Sequence, residues 1–168
     1  MTYYIGQVLG FLAPILMFVS YQTKSPKKLL MIQNAGVVSI IIHYLLIGAS
    51  SGFLLNVACL IRNFVYYYNN VKLFKHPFCP YVLALLIGGL GALSWQGPVS
   101  LLIILALMAN TVFMSLNNNQ ILRISVIFTC SMILTYNFFV HSYAGMLNEG
   151  ISIVSAIIGI YRYRKQSV

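Results

Sequence analysis

Apolar residues run along this chain in long blocks, and what separates the blocks is short: KSPKK, GASSG, KLFKH, WQGP, NNNQ and HSYAG. A helix needs about 20 mostly apolar residues to cross a bilayer core of about 30 Å, and it satisfies its backbone polar groups internally. The blocks therefore predict seven transmembrane helices, near residues 3–21, 29–48, 52–70, 79–95, 98–116, 121–140 and 143–163. The fourth is the weakest, because GGLGALSW is glycine-rich and only QGP separates it from the fifth. A six-span reading with a re-entrant piece there stays open, although glycine is tolerated where membrane helices pack closely.

Composition agrees with the blocks. Hydrophobic residues make up 60% of the chain and charged residues 7%, with a mean hydropathy of +0.89; soluble domains are roughly half apolar and a quarter charged. Several spans leave no room in 168 residues for a soluble domain. The first block has no basic residue before it and KSPKK after it, so it reads as a retained span, not a secretory signal. Cys59, Cys79 and Cys130 have neither CxxC nor Cys/His spacing, and they read as small apolar filler. With no nucleotide loop and no nucleophile beside a base, the sequence predicts no metal, no cofactor and no enzyme.

Charge orients the spans. Lys24, Lys27 and Lys28 follow the first, Lys72 and Lys75 the third, Arg123 opens the sixth, and Arg162, Arg164 and Lys165 follow the seventh, whereas GASSG, WQGP and HSYAG carry no Lys or Arg. Seven spans put all nine cations on one side, which the positive-inside rule makes cytoplasmic, so the N-terminus is outside and the C-terminus inside. The pI near 9.6 is then explained without nucleic acid. The scattered cations point instead to anionic lipid headgroups on the cytoplasmic side. Trp95, Tyr3, Tyr4 and the Tyr66 to Tyr68 run fit aromatic belts at the two interfaces.

A repeat underlies the pattern. Residues 43–68, HYLLIGASSGFLLNVACLIRNFVYYY, align without a gap on residues 136–161, YNFFVHSYAGMLNEGISIVSAIIGIY, at an offset of 93. This pairs Gly52 with Gly145, Asn56 with Glu149 and Arg62 with Ser155. Two groups of three spans keep the same orientation only if one helix links them, so the prediction is a 3+1+3 arrangement of parallel repeats: residues 1–75, a linker helix within 76–97, and residues 98–168.

That layout resembles the SWEET and PQ-loop transporters, and YQTKSPKKLL, residues 21–30, looks like the polar turn that ends the first span there. The Pro-Gln pair itself is absent, with Pro14 and Gln22 eight residues apart, so no sugar-binding residue is carried over. The chain is more closely similar to the YgjV-type bacterial inner-membrane proteins. That resemblance is carried by His43, Gly48 and Arg62 in one block and by Asn137, Phe138, Gly145, Glu149, Gly150 and Arg162 in the other. It implies a multi-pass protein of the bacterial inner membrane.

The candidate chemistry is the polar residues at membrane depth. Glu149 is the only acidic side chain in the chain, and it sits inside an apolar block. A central charge costs about 2.5–3.5 kcal/mol even on the lenient insertion scale, so it should face a bundle interior or a wet cavity. On a helical wheel Gly145, Asn148, Ser152, Ser155 and Gly159 share one face, with Glu149 at its edge. Either this face packs against neighbouring helices, or it lines a path on which Glu149 binds a proton or a cationic group. Arg62, near mid-membrane in the third span, needs an anion, carbonyls or water, because it cannot shed its charge. Glu149 is expected about 9 Å shallower, a stretched distance for a direct pair. His43 falls near the depth of Glu149, as a proton relay or a packing histidine. Asn56, Asn63, Tyr66, Asn110, Tyr136 and Asn137 offer hydrogen bonds, and Pro14 marks a hinge or a static kink in the first span.

The expectation is a transporter of a small polar metabolite, with an anionic one suiting Arg62, working by alternating access between two three-helix bundles, with Glu149 as the group that would couple it to protons. Its substrate or proton pathway is expected to comprise Glu149, Arg62, His43, Asn56, Asn148, Ser152 and Ser155, with Pro14 as hinge. The alternative is a non-transporting membrane receptor or assembly protein whose polar helix faces bind a partner. Either could act as a homo-oligomer.

Overall fold

A computed structural model describes residues 2–21, 26–67, 76–116 and 119–162. Eight helices appear among the described residues: α1 Thr2–Gly10, α2 Leu12–Tyr21, α3 Pro26–Ile47, α4 Ser50–Tyr67, α5 Cys79–Leu93, α6 Ser100–Met114, α7 Asn119–Phe139 and α8 Tyr143–Arg162. They follow the seven predicted spans to within a few residues, because the polar breaks that bound the apolar blocks also end the helices. The exception is the first span, which divides at Phe11 into α1 and α2. Pro14 has no N–H for the carbonyl of Gly10, and its ring crowds that carbonyl, so the break falls one turn before the proline. α5 runs unbroken for 15 residues through the glycine run. A Cβ on Gly88 would lie 2.9 Å from Met108 Sδ, and one on Gly91 would overlap Ile104, so these glycines let α5 pack closely on α6.

Helices adjacent in the chain pack on one another, from α1 and α2 against α3 through to α7 against α8. Two further contacts close the bundle: α8 packs on α1 and α2, and α4 packs on α6. The α3–α4 and α7–α8 hairpins turn in the same way, 93 residues apart. Gly48 and His141 both have positive φ, 80° and 53°. Ala49 N donates to Tyr44 O at 3.0 Å, as Ser142 N does to Asn137 O at 2.9 Å. Phe53 N to Ala49 O and Met146 N to Ser142 O, both 2.9 Å, complete the match.

The surface is inverted relative to a soluble protein. Val8, Ile15, Phe18, Leu45, Ile61, Leu85, Leu93, Phe128, Val154 and Ile158 face outward, while Gln7, His43, Ser51, Arg62, Asn63, Thr111, Thr129, Asn137, Ser142 and Ser152 are buried. Hydrocarbon solvates the former, and only a polar interior can satisfy the latter. Of the nine orienting cations, Lys24, Lys72, Lys75, Arg164 and Lys165 lie outside the described residues, as do the side chains of Lys27, Lys28 and Tyr66 to Tyr68.

Candidate functional site

Three polar layers cross the bundle. The first begins at the hairpin turns. Gln7 on α1 donates from Nε2 to His141 O at 2.7 Å and accepts from Ala144 N at 3.3 Å. Gln96, just before α6, does the same to the other turn: Nε2 donates to Gly48 O at 3.2 Å, and Oε1 accepts from Ser51 N at 3.3 Å. His141 and Ala144 are the 93-residue counterparts of Gly48 and Ser51, so two glutamines clamp equivalent turns. Each supplies a carbonyl for a helix N-terminal N–H that has no partner within its own helix. Ser51 also donates to Ser94 O and lies 3.0 Å from Ser100 Oγ, tying α4 to the α5–α6 connection.

Gln7→Leu is expected to destabilise the protein by about 1–3 kcal/mol, because Gln7 is buried and Ala144 N loses its acceptor. Gln96→Leu should cost less, because that side chain is exposed and water can replace it. Thermal melting of the two variants in detergent checks the ranking, and the reverse order would contradict the clamp.

His43 lies just beneath. Its Nδ1 is 2.9 Å from Gly6 O, and a carbonyl only accepts, so Nδ1 carries the proton and Nε2 accepts from Ser142 Oγ at 2.7 Å. Gly145 N donates to the same hydroxyl at 3.3 Å. A Cβ on Gly10 would sit 2.7 Å from His43 Nδ1, so the ring fills the space that this glycine leaves. Beside it, Tyr44 Oη donates to Asn137 Oδ1 at 2.6 Å, and Gly52 N donates to Tyr136 Oη at 3.0 Å. Both nitrogens of His43 are thus committed to groups other than Glu149.

The middle layer holds Glu149. Asn148 Nδ2 donates to Glu149 Oε1 at 3.1 Å, and the thiol of Cys130 on α7 lies near the carboxylate. Glu149 is half-buried and lies within electrostatic reach of Tyr44 on α3 and Cys59 on α4. Two buried atoms lack a hydrogen-bond partner among the described residues, Asn148 Oδ1 and Asn137 Nδ2. Ser152 donates to Asn148 O at 3.0 Å and Asn56 to Gly52 O at 2.8 Å, each along its own helix, and Ser155 is half-buried on the same side of α8.

The innermost layer surrounds Arg62, only 6% exposed. Nε and Nη2 donate to Asn63 Oδ1 at 3.3 and 3.1 Å, and Nη1 donates to Asn110 Oδ1 and Thr111 Oγ1 on α6, both at 3.1 Å. Asn63 in turn donates to Asn34 on α3 at 3.1 Å. Every one of these partners is neutral, and among the described residues no ion pair joins Arg62 to Glu149. Arg62 is therefore held by amide and hydroxyl oxygens that link α3, α4 and α6.

The structure thus brings Glu149 together with Asn148, and Arg62 with Asn63 and Asn110, while His43 belongs to the layer above. Gln7, Gln96, Asn34, Thr111 and Ser142 were not anticipated, and Cys130 lies near the carboxylate where simple filler was expected. The charge of Arg62 was a usable signal for Asn34 and Thr111, since a buried guanidinium demands several oxygens at its own depth.

Lipid-solvated outer faces around a layered polar interior define a polytopic helical membrane protein. The chain belongs to the Imp-YgjV family, described as a bacterial inner membrane protein, whose model matches residues 4–167. It is a multi-pass protein of the bacterial inner membrane. No curated protein and no solved structure matches it.

Proposed function

We propose that this protein is a transporter of a small polar metabolite, and that two parallel three-helix bundles, residues 1–75 and 98–168, alternate access to a site between them. α5 is the linker of this SWEET-like 3+1+3 arrangement, with the N-terminus outside and the C-terminus cytoplasmic. The observation that carries the reading is that two ionisable groups of opposite sign, half-buried Glu149 and buried Arg62, lie in the polar part of the bundle and are each bonded only to neutral groups. Packing alone gives no reason to place a full charge at this depth where an amide would serve. The matched turns support the repeat, and each is clamped by a glutamine from elsewhere in the chain, Gln7 on α1 and Gln96 in the α5–α6 connection.

In this reading the clamps and the His43 layer close the outer side, the break at Phe11 before Pro14 is the hinge of the first span, and Glu149 is the group that exchanges a proton or a cation. Purified protein in liposomes, offered a pool of labelled small polar metabolites, should accumulate at least one of them above protein-free vesicles. No uptake of any, with the protein folded and inserted, would favour a receptor or assembly role.

A further inference from the structure

Two opposite charges share one interior without touching. Cys59, one turn above Arg62 on α4, lies within electrostatic reach of both Arg62 and Glu149. By the 93-residue correspondence Glu149 is level with Asn56, six residues shallower than Arg62, which is about 9 Å along the bundle. Each end also has unused capacity of its own kind. At the outer end Asn148 turns its Nδ2 to the carboxylate and keeps a buried Oδ1 that accepts nothing. Glu149 and Asn148 together present acceptors, as an ammonium requires. At the other end the four bonds from Arg62 leave one Nη2 hydrogen without an acceptor among the described residues, the kind of donor an anionic oxygen takes.

A lone anion at Arg62 would sit in the field of Glu149, and a lone cation at Glu149 in the field of Arg62, both in a medium of low dielectric. A ligand bearing both charges a few ångström apart satisfies both ends and brings no net charge into the membrane. We propose that the interior site takes a small zwitterion, an amino acid or amino-acid-like metabolite, with its ammonium on Glu149 and Asn148 and its carboxylate on Arg62. The assignment rests on the transport reading and names its substrate class.

The test is thermal melting of the purified wild-type chain, at matched ionic strength, with glycine, β-alanine or 4-aminobutyrate, and with acetate or methylammonium as single-charge fragments. At least one zwitterion should raise the melting midpoint and bind about tenfold or more tightly than either fragment, the difference expected for one charge-assisted contact. Glu149→Gln and Arg62→Gln should each erase that preference; if Arg62→Gln does not fold, the comparison on the wild-type chain decides. Stabilisation by acetate or methylammonium alone overturns the zwitterion and leaves a transport path for a singly charged solute. No response to any of the five also overturns it, and thiol accessibility at positions 152 and 155 then reports separately whether an aqueous path exists.

Discussion

If the protein transports as proposed, Glu149→Gln leaves it folded and slows uptake about tenfold to a hundredfold. Glutamine keeps the length and shape of glutamate, and its Oε1 can still accept from Asn148, so the melting midpoint in detergent should scarcely move. What disappears is the only negative charge in the interior. The loss of one charge-assisted contact, about 1.5–3 kcal/mol, corresponds to roughly a tenfold to hundredfold fall in uptake into liposomes. A variant that transports normally would remove Glu149 from the pathway. One that fails to fold would make it half of a structural seam.

Arg62→Ala has the larger effect on stability. It deprives the buried oxygens of Asn63, Asn110 and Thr111 of their donor and removes the polar link between α4 and α6. Each buried acceptor left without its donor costs about 1–3 kcal/mol. Arg62→Lys should recover only part of it, because one ammonium cannot reproduce the planar fork that reaches Asn63 on one side and Asn110 with Thr111 on the other. Thermal unfolding of the three proteins in detergent gives the order wild type, lysine, alanine. A lysine variant as stable as wild type would mean that point charge suffices and the fork is not used.

Much of this architecture was legible in the sequence, for reasons that differ by feature. The spans were readable because hydrocarbon imposes a length and a composition on each helix independently of its neighbours. Glu149 and Arg62 stood out because ionised groups are so rare at that depth. The 93-residue repeat was readable where it lies in one ungapped window, and Gly48 and His141 share a left-handed backbone despite their different side chains. The clamps were not readable, since Gln7 and Gln96 are 89 residues apart and correspond only across the folded seam. Nor could the chain reveal that His43 meets Ser142 and Gly6 instead of Glu149, because that depends on which helices adjoin and how each is rotated. Cys130 was passed over because a lone cysteine in an apolar block carries no signal until its neighbour is known.

Alternating access requires the seam between the bundles to hold water and solute in at least one state. Ser152→Cys and Ser155→Cys, each in a background whose three native cysteines are replaced by serine, test it with a membrane-impermeant thiol reagent applied from either side, and Gln96→Cys serves as an exposed control. Both interior positions should label, from one side or switching between sides as ligand is added. If both stay unlabelled from both sides while position 96 reacts, the seam is closed packing and the transport reading is wrong.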